Sequence, residues 1–122
     1  MNLRFGLTLA FLLGGAWPAI AQSNCEAPVV PVVPDGRTAT QIKMNDAISR
    51  SKSFITKSDA YQTCLLDYVK AQKDLAAQNK TTFDPSIETD AVKRINDNQA
   101  EKAKVGSDMN AAIAAFKTSR PG

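Results

Sequence analysis

The sequence predicts an all-α protein: an antiparallel hairpin of two long helices, with an N-terminal polyproline II arm packed back on the first helix and clamped by a Cys25–Cys64 disulfide. Three observations predict this. Pro28, Pro31 and Pro34 fall at every third residue of CEAPVVPVVPDG, the period of a polyproline II rod. Two later runs carry apolar residues at heptad spacing, the pattern of helices that pack along a seam. The cysteines stand at the ends of two segments of equal length. The steps from Cys25 to Gly36 cover roughly 34 Å at ~3.1 Å each. Those from Thr40 to Cys64 cover roughly 36 Å at ~1.5 Å each. Folding the chain back at Asp35-Gly36 brings the two sulfurs to the same height.

Residues 1–21 read as an export signal. Arg4 precedes an apolar stretch, Pro18 breaks it, and Ala19-Ile20-Ala21 is a small-x-small cleavage site,. The stretch is too short and too interrupted to predict a stable membrane span. Export leads to an oxidising compartment, where an even pair of cysteines forms a disulfide. Residues 22–37 are the arm and its turn. Thr38 and Gln41 fit a capping box, a hydroxyl followed three residues on by Gln,. They open a first helix over 38–79, uninterrupted by glycine or proline. Residues 80–84 form a loop. Asp84 is a good N-cap and Pro85 a good first residue for a second helix over 85–119. Residues 120–122 are a tail. The paired valines at 29–30 and 32–33 are pinned between prolines, which argues against a strand.

On the first helix the seam reads Ala47, Ser51, Phe54, Ser58, Tyr61, Leu65, Tyr68, Gln72, Leu75. On the second it reads Glu88, Ala91, Ile95, Asn98, Lys102, Val105, Met109, Ala112, Phe116. Pairing Ala47 with Phe116 predicts facing residues whose numbers sum to 163, such as Phe54 with Met109, Asn98 with Leu65 and Leu75 with Glu88, in agreement with a loop at 80–84. The arm should lie over Phe54, Tyr61 and Tyr68, with Pro28, Pro31 and Pro34 packed between the rings. On the other flank Ile48, Ile55 and Val69 are either covered by the second helix or left exposed, as candidates to face a partner. A two-helix unit with one arm is thin for a monomer, so a homodimer is expected.

The residue types exclude much chemistry. Histidine is absent, which removes the commonest general base and metal ligand. Both cysteines are committed to each other. Carboxylates are scattered, with Asp46–Arg50 and Asp90–Arg94 at the i,i+4 spacing of surface pairs. No catalytic residue, cofactor-binding residue or metal ligand is predicted. Without Arg4, 14 basic residues stand against 12 acidic ones. This interspersed balance predicts no nucleic-acid partner.

Cys25, Pro28, Pro34-Asp35-Gly36, Ala39-Thr40, Met44, Asp59-Ala60-Tyr61 and Cys64-Leu65 together resemble small exported helical proteins of Gram-negative bacteria. The likeness covers about the first half of the chain after the signal. It implies a periplasmic address and agrees with the disulfide, and it carries no activity. The expectation is therefore a non-enzymatic structural or interaction protein of the bacterial envelope, binding itself or an unidentified envelope protein. The alternative is a small periplasmic binding module for an apolar ligand or cell-wall component, built around Tyr61, Leu65 and Asn98.

Overall fold

A computed structural model describes residues 23–120; the expected export signal lies outside them. The described residues form two α-helices and no strand. Helix α1 spans Gln41–Gln78 and α2 spans Pro85–Ser119, packed against each other. This is the hairpin that the heptads predict.

The entry to α1 differs from the capping box expected at Thr38. The N-cap is Thr40, whose hydroxyl accepts from Lys43 N at 3.2 Å. Thr38 belongs to the turn before it, because the Asp35 carbonyl accepts from Thr38 N at 3.2 Å and from Ala39 N at 2.9 Å. Arg37 grips the Asp35 carboxylate from both its backbone and its guanidinium, and the side-chain bond above all holds that carboxyl below its ordinary pKa. At the far end of α1, Lys80 takes a left-handed conformation at φ 53°. This lets Thr81 N bond Ala76 O at 2.9 Å and Lys80 N bond Ala77 O at 3.2 Å, the hydrogen-bond pattern that closes many helices. Asp84 then caps α2 through Ser86 N at 2.9 Å, with Pro85 first, as predicted. That backbone bond is the main cause of the lowered Asp84 pKa.

Two apolar clusters fill the hairpin. Near the arm's turn, Ala39, Met44 and Ala47 meet Met109 and Ala112, with Val33, Ile48, Ile113 and Phe116 around them. Near the loop, Tyr61, Leu65 and Val69 meet Ala91 and Cys25, with Cys64, Tyr68, Phe83, Ile87 and Ile95 around them. A polar layer lies between them. Asn98, only 3% exposed, donates from Nδ2 to Ser58 Oγ at 3.1 Å and accepts from Gln62 Nε2 at 2.9 Å. A buried amide with both ends bonded resists sliding of one helix on the other.

The register departs from the expected sum of 163. Asn98 bonds Ser58 where Leu65 was expected to face it, Lys102 pairs with Asp59, and Glu88 pairs with Lys73 where Leu75 was expected. The index sums are 156, 161 and 161. The left-handed closure at Lys80 prolongs the first arm of the hairpin, so α2 begins below the tip of α1. Counting from the middle of the loop assumed that both helices end at one level.

Gly106 has no packing role within the chain, since an added Cβ would meet nothing within 4 Å. Gly106→Ala should therefore stabilise the fold by about 1 kcal/mol through helix propensity alone. Thermal melting of the dilute, monomeric protein followed by circular dichroism should show a rise of about 4–8 °C.

Candidate interaction surface

The arm, residues 23–35, has no regular secondary structure and runs antiparallel to α1. Its beginning is fixed by the disulfide, with Cys25 and Cys64 Cα atoms 5.8 Å apart. Near its end, Val33 packs on the Met44–Ala47 cluster. Between Cys64 and Ala47 the helix covers about 26 Å at ~1.5 Å per residue. The eight steps from Cys25 to Val33 must match it, at about 3.2 Å each, so the chain here is extended.

Exposure along the arm repeats with period three. Cys25 is buried and Pro28, Pro31 and Pro34 are half-buried on the inner side. Val29 and Val32 point outward, 90% and 87% exposed, in step with exposed Glu26 and Asp35. Beneath the arm, Phe54 and Tyr61 are buried, and Tyr68 is half-buried in the loop-end cluster. The three prolines, Phe54 and Tyr61 line the same junction between arm and helix. An open groove of about 1070 Å³ follows this junction between arm and α1. Its α1 wall carries Lys43, Arg50 and Lys57 at intervals of seven. Arg50 bonds Asp46 at 2.8 Å, the i,i+4 pair expected.

Helix α2 holds both ends of the arm, which pattern reading missed. At one end Arg94 reaches across the hairpin. It donates to Ser23 Oγ at 2.6 Å, to the Cys25 carbonyl at 3.0 Å and to the Tyr61 hydroxyl at 3.0 Å. Its expected pair with Asp90 is present but longer, at 3.7 Å. At the other end Gly36 is buried against the backbone of α2. A Cβ there would overlap the Ala112 carbonyl oxygen and lie 2.8 Å from the Ala112 carbon and 2.9 Å from Phe116 N. Arg120 completes this end, donating to the Ala39 carbonyl at 2.6 Å while stacking 4.1 Å over the Phe116 ring. The one sequence signal for Arg94 was its place four residues before Asn98, on a flank that turns toward the seam.

The opposite flank of the hairpin has no arm. Ile48 and Ile55 lie there half-buried. Val69 does not face outward as expected: it is 7% exposed and packed in the cluster with Ala91, because that small residue lets α2 close over it. Leu66 and Val92, 60% and 47% exposed, take its place at the surface. They flank a second groove of about 310 Å³ with Val69, Ile95, Lys73 and Glu88. Tyr61, Leu65 and Asn98, the site expected for an apolar ligand, are all buried, and Tyr61 also lines the groove beside the arm.

No group of three or more His, Cys, Asp or Glu that could hold a metal lies among the described residues, and none of the described helices is long and apolar enough to cross a membrane. No protein-family model, curated protein or solved structure matches the chain.

Proposed function

We propose that this chain is an exported, non-enzymatic interaction protein of the bacterial cell envelope. It presents helix faces and a polyproline II ridge to protein partners in the periplasm. The observation that carries this reading is the arm's outer edge. Val29 and Val32 are held outward on a segment anchored covalently at Cys25 and packed by its prolines. An unanchored arm would lose ~1–2 kcal/mol of backbone entropy per residue on binding. A fixed arm has already made that sacrifice, so a partner meets a pre-ordered ligand. Extended proline-rich segments are recognised in this way by grooves lined with aromatic side chains. The non-enzymatic part rests on residue types: the sequence has no histidine, and both cysteines are in the disulfide. The disulfide also supports the periplasmic address.

The test is site-specific photo-cross-linking in the native compartment. Probes at Val29 and Val32 should capture the same protein, while a probe at exposed Thr82 in the loop between the helices should not. Equal labelling from all three positions, or none from the arm, would remove the proposal.

A further inference from the structure

The arm-free flank has a property that a random surface lacks: its two helices present matched levels. At one end Ile48 of α1 and Ile113 of α2 pack on the same cluster. Next come Ile55 of α1 and Gly106 of α2, the glycine with open space above it. Then Asp59 pairs with Lys102, and Gln62 donates to Gln99 at 3.2 Å. Leu66 and Val92 share the second groove, and Lys73 pairs with Glu88 at 2.9 Å. These levels join apolar with apolar or small, amide with amide, or base with acid, while Lys70, which also lines the second groove, pairs with Asp74 along its own helix at 2.7 Å.

We infer that this flank binds a second copy of the chain about a two-fold axis running along the hairpin. Such an axis lays α1 of one protomer over α2 of its partner at the same height. Every level then meets itself with the helices exchanged. Asp59 comes over Lys102 of the copy and Lys102 over Asp59, making a quartet of alternating sign; Lys73 and Glu88 make a second. Leu66 meets Val92, Ile48 meets Ile113, and Ile55 enters the space that Gly106 leaves. That gives a physical reason for a glycine inside a helix, where it is unfavourable by about 1 kcal/mol. A two-fold axis across the rods fails the same test. It lays α1 on α1 and brings Lys73 onto Ile48 and Glu88 onto Ile113, burying unpaired charge against apolar side chains. The area is adequate. From Ile48 to Lys73 the flank runs about 38 Å and is about 20 Å wide, of the order of the 800 Å² per partner in a standard interface.

The inference rests on the reading as an interaction protein, but its test is separate from cross-linking at the arm. Sedimentation of the oxidised protein at tens of micromolar should show a dimer, and Leu66→Glu should weaken it at least tenfold. The orientation is tested by charge exchange. Asp59→Lys alone makes the quartet wholly positive and Lys102→Glu alone makes it wholly negative, so each variant should be monomeric. Mixed, they should form a heterodimer. A monomeric wild type, or a dimer unmoved by Leu66→Glu, would overturn the face. A mixture that stays monomeric while the wild type dimerises would overturn the axis. Circular dichroism of each variant confirms that loss of the dimer is not loss of the fold.

Discussion

Gly36→Ala should lower the melting temperature by more than about 12 °C. The added methyl meets backbone on α2 rather than a side chain that can turn away. It overlaps the Ala112 carbonyl oxygen and crowds Phe116 N. Overpacking in a closed site costs about 1–3 kcal/mol when side chains can shift. Here a helix must move as a body, so the effect should reach about 3 kcal/mol or beyond, at about 4–8 °C per kcal/mol for a domain of this size. Moving α2 would also pull Arg120 from the Ala39 carbonyl and unseat Met109 and Ala112 from their cluster. Thermal melts of Gly36→Ala beside Gly106→Ala make the measurement decisive. The same chemical change should destabilise at one position and stabilise at the other. If the two variants melt together, close approach at Gly36 is not what holds the turn on α2.

Removing the disulfide should have the next largest effect. It closes a loop of 39 residues, for which the chain-entropy account gives about 4 kcal/mol. That is a large share of the ~5–15 kcal/mol total of an ordinary domain. A Cys25→Ser, Cys64→Ser double variant should therefore unfold at a clearly lower urea concentration. The damage should be uneven. The helices keep their caps and the Ser58–Asn98 layer, while the start of the arm, without its covalent link, is left with the Arg94 bonds, and its end with Val33 on the cluster and the close approach of Gly36 to α2. Limited proteolysis should cut the variant within residues 26–34 under conditions where its helical dichroism persists. Cleavage spread evenly along the chain would show instead that the disulfide holds the whole fold and not chiefly the arm.

The sequence carried the architecture because the architecture is periodic. Threefold prolines, heptads, an Asp-Pro helix start and two cysteines at matched distances each report local geometry. The bounds of α2 and the disulfide followed from those signals. The register did not, because it depends on how α1 ends, and the left-handed Lys80 leaves no mark of the kind a glycine would. Val69 was misplaced for a related reason. Its burial depends on the smallness of Ala91 across the seam, a fact about two distant positions in a register not yet known. The arginines that hold the arm were also hidden. Arg94 reads as half of a surface pair with Asp90 until the fold brings Ser23 and Cys25 to it. Gly36 was legible as a turn residue, and its conformation does suit a turn, but only the tertiary structure shows that it is needed for nearness to α2.

The arm's order comes from ring constraint and covalent anchorage, not from paired amides. Among the described residues, no main-chain N–H from Asn24 to Val33 finds a partner within the chain. Solvent deuterium should thus enter Val29, Val30 and Val32 almost as fast as it enters an unfolded peptide, though their positions are fixed. Slow exchange should mark the helices and the turns that bound them, and a map of exchange rates would paint the anchored arm as if it were loose.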